Sequence, residues 1–146
     1  MATFNATKGF GSPLAIAGIG DGQSPKVMVC SYSLAAALAL NDVIQSPPLP
    51  KGAVVYDVML AVSDLDTNGT PTITLDVGYG GDPDYFIAAS TVGQTGGIAR
   101  AAAVTAAVPL ALTVNDTIDV LVKAAPATGA ATGTVTLVVH YVMQTS

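Results

Sequence analysis

The sequence predicts an all-β fold, a sandwich or barrel of about eight short strands in one domain, and three observations carry that prediction. Four segments alternate apolar and polar residues with a period of two, clusters of Gly, Pro, Asn and Asp separate them, and the chain contains no Glu, so all ten acidic residues are Asp. Glu favours helices and Asp favours turns, which points away from an α/β enzyme fold.

The elements follow in chain order. Residues 1–25 read as an extended N-terminal arm: an apolar patch at Leu14 to Ile19 is punctuated by Gly9, Gly11, Pro13, Gly18 and Gly20, which leaves no hydrophobic region of signal-peptide type. The sandwich domain is expected over 26–146. Lys26 to Ser33 and Leu38 to Ile44 are candidate strands, and Pro47 to Gly52 then separates these first strands from the main sheet, because its prolines deny ladder donors. In the next strand Val54, Tyr56, Val58, Leu60 and Val62 form a wholly apolar face. Asp64 to Gly69 is expected as a hairpin turn into Thr72 to Tyr79, where Ile73, Leu75, Val77 and Tyr79 share one face.

Gly80-Gly81-Asp82-Pro83-Asp84 reads as a turn able to bring its carboxylates near the first, and Tyr85 to Ser90 as a strand. Gly93 to Gly97 is expected as a flexible loop, Ile98 to Ala107 as a short helix or interface loop, and Leu110 to Val114 as a strand. Ile118, Val120 and Val122 point inward from Thr117 to Lys123. Ala124 to Gly133 reads as a hairpin loop before the last strand, which presents Val135, Leu137, Val139, Tyr141 and Met143 on one face.

Composition restricts function. The chain is 51% apolar and 10% charged, against about a quarter charged for an ordinary soluble domain, so apolar surface is expected to be covered by neighbours. A net charge of −5 with five scattered basic residues disfavours nucleic acid, whose affinity depends on Lys and Arg at phosphates. The richest apolar stretch, Ile98 to Val114, contains Arg100 and Pro109 and falls short of a membrane span of about 20 residues. Cys30 stands alone, so no internal disulfide is available.

Few residues offer chemistry. Asp64-Leu65-Asp66-Thr67-Asn68-Gly69 begins like a calcium loop, with Asp64, Asp66 and Asn68 as candidate ligands, but Leu75 occupies the position of the bidentate Glu. A plain turn is the preferred reading and calcium the alternative; no other cofactor or metal is expected. His140 and Cys30 lack the partners of a nucleophilic triad, and Gly93 to Gly97 lacks the Lys and charge of a phosphate loop. No catalytic residue is assigned and the chain is expected not to be an enzyme.

The stretch from Leu38 to Arg100 resembles tailed-bacteriophage virion structural proteins. The resemblance rests on Asn41-Asp42-Val43-Ile44, Leu49-Pro50-Lys51-Gly52-Ala53, Ser63-Asp64-Leu65-Asp66-Thr67 and a strand ending in Gly78. It implies a capsid decoration, or cement, subunit with a jelly-roll-like β-sandwich. Such a subunit forms a homo-oligomer, most simply a trimer, on the major capsid protein or other virion subunits, and is localised to the phage head after assembly in the bacterial cytoplasm. It touches neither nucleic acid nor membrane. A receptor- or glycan-binding module of a tail or fibre is the alternative, weakened by the absence of Trp and the scarcity of Tyr and Phe.

Overall fold

A computed structural model describes residues 24–102 and 107–144, so most of the expected arm lies outside the described residues. They form two packed antiparallel sheets, a β-sandwich. The strands are β1 (Lys26–Ser33), β2 (Val43–Gln45), β3 (Ala53–Val62), β4 (Thr74–Tyr79), β5 (Asp82–Ser90), β6 (Gly97–Arg100), β7 (Leu110–Ala111), β8 (Ile118–Ala124) and β9 (Thr134–Met143). One sheet runs β1-β9-β3-β6, with β7 also paired to β3; the other runs β2-β8-β4-β5.

The alternation read from the sequence is the alternation of burial. Val58, Leu60, Val135, Leu137 and Val139 of the first sheet meet Leu75, Val77, Ile118, Val120 and Val122 of the second, with Phe86 and Ile73 fully buried between them. The face predicted for β3 needs one correction. The register shifts between Val55 and Asp57, a bulge that spends Tyr56 as the extra residue. Val55 is therefore buried and Tyr56 is 40% exposed, although strict alternation places Tyr56 inside.

Two expected hairpins are crossovers instead. β3 and β4 lie in different sheets, as do β8 and β9, so Asp64 to Gly69 and Ala124 to Gly133 each carry the chain from one sheet to the other. Among the described residues only β4 and β5 form a hairpin between paired consecutive strands over a short turn, at Gly80-Gly81. The proline segment Pro47 to Gly52 also crosses between sheets, since β2 belongs to one sheet and β3 to the other, while β1 lies in the same sheet as β3. Pro50-Lys51-Gly52-Ala53 closes by a bond from the Ala53 N–H to the Pro50 carbonyl (3.1 Å), with Gly52 at φ 85°, the conformation a type II turn demands of its third residue.

Local chemistry explains the shorter strands. Leu38 to Ile44 is a turn until Val43, because Asn41 adopts a left-handed φ of 66° and Asp42 Oδ2 accepts the Ala39 N–H at 2.7 Å. Gly93 to Gly97 is fastened rather than flexible: Gly93 is buried, its carbonyl accepts the Leu65 N–H at 2.8 Å, and Gln94 Nε2 donates to the Ile73 carbonyl at 3.1 Å. The segment expected as helix or interface loop begins as β6, paired to β3; residues 103–106 lie outside the described residues.

Candidate functional site

The structure brings Asp64, Asp66 and Asn68 together, at the end of the sandwich where both crossovers pass. Asp66 is 1% exposed. Its Oδ2 accepts N–H bonds from Thr72 (2.7 Å), Ile73 (3.2 Å) and Ala127 (2.8 Å), and its Oδ1 accepts from Thr128 (2.9 Å) and Asn68 (3.4 Å). Burial opposes the charge, but the donors of Thr128, Thr72, Ala127 and Ile73 together hold the carboxyl well below the usual carboxylate range. Asp64 Oδ1 accepts the Asp66 N–H and Asn68 Oδ1 accepts the Thr70 N–H, so these oxygens too are turned to amide donors. A cation approaching Asp66 meets the positive ends of peptide dipoles. The arrangement is a clasp: one anion binds the two ends of the β3–β4 crossover, at Asn68 and at Thr72-Ile73 just before β4, to the β8–β9 crossover.

The second acidic turn lies elsewhere. Gly80 to Asp84 sits at the far end of β4 from the clasp, across from Asp116, so the two turns do not converge. Asp84, through a shared side-chain hydrogen bond and its like charge, pushes the Asp82 carboxyl up, and partial desolvation adds to this. Among the described residues no three His, Cys, Asp or Glu side chains are grouped so as to hold a metal ion. No described helix is long and apolar enough to cross a membrane.

His140 and Cys30 occupy opposite faces of the first sheet. Cys30 points toward the core, and burial pushes its thiol up, partly offset by a backbone hydrogen bond from Leu137. His140 points outward beside Asp57, with Nδ1 3.8 Å from Asp57 Oδ2, and its ring lies 6.0 Å from that of Tyr56. Arg100 reaches the same Asp57 oxygen at 3.5 Å.

These groups belong to a surface that the sequence alone did not mark. Register across β1, β9, β3 and β6 builds the outer face of the first sheet from three rows: Val27, His140 and Asp57; Val29, Val138, Met59 and Arg100; Ser31, Thr136, Ala61 and Ile98. Val27, Val29 and Ile98 are 54%, 63% and 64% exposed. The outer face of the other sheet is more polar, carrying Asp119, Lys123 and Gln45 beside Leu121 and Val43, with Lys123 Nζ 3.6 Å from buried Asp76. Exposed hydrophobic residues beside one ion pair, Asp57 with Arg100, and His140 are the composition of an interface rather than of a catalytic pocket. The missed signal is in β1, where both parities are apolar through Val29, a pattern that a strand solvated on one face does not need. Because the Asp57–Arg100 pair is solvent-screened, Arg100→Ala is expected to change the unfolding free energy by less than about 1 kcal/mol, measured by urea titration.

Known structures resemble this chain over most of its length. It is similar to a chain of the capsid asymmetric unit of cyanophage Pam1, with 37% identity, a TM-score of 0.77, and coverage of 89% of this chain and 92% of that one. It is also similar to a chain of the capsid of Ralstonia phage GP4, at 39% identity and a TM-score of 0.70, covering 90% and 93%. A chain of the acid-stable capsid of Helicobacter pylori bacteriophage KHP30 shares the fold, with 22% identity, a TM-score of 0.53, and coverage of 84% and 95%. No family model and no curated protein matches the chain.

Proposed function

This chain belongs to the phage capsid structural proteins, and from that premise we propose that it is a decoration, or cement, subunit: a homo-oligomer, most simply a trimer, that binds the major capsid protein and stabilises the head by adhesion, without turnover. The observation that carries the reading is the outer face of the β1-β9-β3-β6 sheet, where Val27, Val29 and Ile98 stand more than half exposed. Apolar area of this kind is stabilised by removal from water, at about 25 cal/mol for each Å² buried. An interface of standard size takes about 800 Å² from each partner, and several such contacts in a symmetric shell reinforce one another through effective concentration. The net charge of −5 suits an outer surface better than one lining packaged DNA.

The test is the particle. Heads assembled without this chain are expected to lose density on the outside of the shell and to release DNA at lower temperature. Light scattering of the purified protein is expected to give a trimer. Ile98→Asp places a charge on the face while disturbing no buried residue, so it is expected to abolish incorporation into heads with a change in melting temperature of less than about 2 °C. Density at the tail instead of the shell, or normal incorporation of the Ile98→Asp protein, overturns the reading.

A further inference from the structure

Of the four Asn residues in the chain, Asn5, Asn41, Asn68 and Asn115, only Asn68 is followed by Gly. Asn68 and Gly69 are both exposed, in the β3–β4 crossover that Asp66 holds, and no atom lies within 4 Å of where a Gly69 Cβ would stand. The pair matters chemically because a side-chain amide can be attacked by the main-chain nitrogen of the next residue, which closes a five-membered ring. With no Cβ at that next residue, the peptide turns freely enough to bring its nitrogen up to the amide carbon.

The folded crossover adds two groups that such an attack uses. Asn68 Oδ1 accepts the Thr70 N–H at 2.9 Å, so the oxygen on which negative charge develops already faces a fixed donor. Asn68 Nδ2 donates to Thr128 Oγ1 at 2.9 Å. An amide nitrogen is not basic, but it becomes an amine once the carbon is tetrahedral, and the Thr128 hydroxyl is then within reach to give it a proton. Thr128 is itself held by the clasp: its N–H donates to Asp66 Oδ1 at 2.9 Å, and its carbonyl accepts the Thr67 N–H at 2.9 Å and the Thr67 hydroxyl at 3.3 Å. Nucleophile, oxyanion donor and proton donor are therefore gathered around one carbon.

The structure assigns Asn68 as a site of self-modification, at which the Gly69 nitrogen displaces ammonia with assistance from the Thr70 N–H and the Thr128 hydroxyl. The bond from the Gly69 nitrogen to Asn68 Cγ forms, and the proton of that nitrogen passes to water. The Cγ–Nδ2 bond breaks, and Nδ2 leaves as ammonia with a proton that Thr128 supplies and regains from water. Water then opens the cyclic imide at either carbonyl. Cleavage of the bond to Cγ leaves aspartate at position 68, whereas cleavage of the bond to the main-chain carbonyl carbon leaves isoaspartate, with the chain running through the former side chain. Both products place a new carboxylate on the residue whose N–H donates to Asp66 Oδ1, and isoaspartate also lengthens the main chain by one carbon inside the clasp. The sequence of steps consumes only water and does not depend on the capsid reading.

The test incubates the purified full chain at mildly alkaline pH and follows each Asn by peptide mass spectrometry, as the mass gain of NH2 replaced by OH. Asn68 is expected to convert at least about tenfold faster than Asn41 and Asn115, each of which precedes Asp, with isoaspartate among its products. Gly69→Ala is expected to slow the conversion by about tenfold or more. Thr128→Val keeps the main-chain bonds of that residue and removes its hydroxyl. It is expected to slow conversion about tenfold in the folded chain and to leave the rate in urea unchanged, and Thr128→Ser is expected to restore the folded rate. The natural chain is expected to convert faster folded than unfolded in urea. Conversion of Asn68 no faster than that of Asn41 or Asn115, an equal or slower rate in the folded natural chain than in urea, or an unchanged folded rate in Thr128→Val overturns the assignment.

Discussion

Asp66→Asn is expected to lower the melting temperature by roughly 10 °C or more, nearly as much as Asp66→Ala, although Asn has almost the same shape. Both carboxylate oxygens accept backbone N–H groups, two at Oδ1 and three at Oδ2. The amide nitrogen of Asn must therefore replace one set of acceptor bonds with donors facing donors, whichever way it is turned. Ala leaves all five donors without this acceptor, among them that of buried Ile73. Because the segments held by Asp66 are the links between the two sheets, the loss spreads to the packing of one sheet on the other.

The same clasp gives stability a pH dependence. The Asp66 carboxyl sits lower in the folded chain than its ordinary value of 3.8. Its contribution is therefore fully present above about pH 4 and is lost as the pH falls through the folded value. Asp82 acts with the opposite sign, since its carboxyl is raised by the side-chain hydrogen bond it shares with Asp84, by partial desolvation and by the like charge of Asp84, all of which favour the protonated form. Thermal melts between pH 7 and pH 2 are expected to show falling stability below pH 4 in the natural chain and a flatter curve in Asp66→Asn. Equal slopes in the two proteins sink this account of the clasp.

Gly78→Ala is expected to cost about 3 kcal/mol or more, or to prevent accumulation of soluble protein. A Cβ at Gly78 meets the carbonyl oxygen of Asp82 and the carbonyl carbon and oxygen of Pro83. These are backbone atoms of the adjacent strand, where the β4–β5 register shifts, so they have no rotamer by which to move aside. Gly69→Ala supplies the comparison: no atom lies within 4 Å of its Cβ, and a change of less than about 0.5 kcal/mol is expected by urea titration. Similar losses at the two glycines argue that intrinsic backbone preference, not the close approach at Gly78, sets the effect.

The relation of sequence to structure differs from element to element. Period two in Ile73 to Val77, Ile118 to Val122 and Val135 to Val139 determined by itself that these are strands and which side of each faces the core, because burial of one face imposes that period directly. The sequence also carried the family resemblance, through the turns around Lys51-Gly52 and Asp64 to Thr67. Tyr56 escaped because a bulge changes the phase of a strand without changing its apolar character.

Which strands are neighbours was decided only by the tertiary structure. Asn68-Gly69 signals a reversal of the chain but carries no information on whether the next strand pairs with the last or crosses to the opposite sheet. The clasp and the outer face of the β1-β9-β3-β6 sheet both follow from those crossings. Asp66 meets Ala127 and Thr128 across 61 and 62 residues of sequence, and Val29, Val138, Met59 and Arg100 form one row from four separate strands. Local residue preferences reach only a few positions along the chain, whereas these contacts depend on which sheet edges and crossovers the whole core brings side by side.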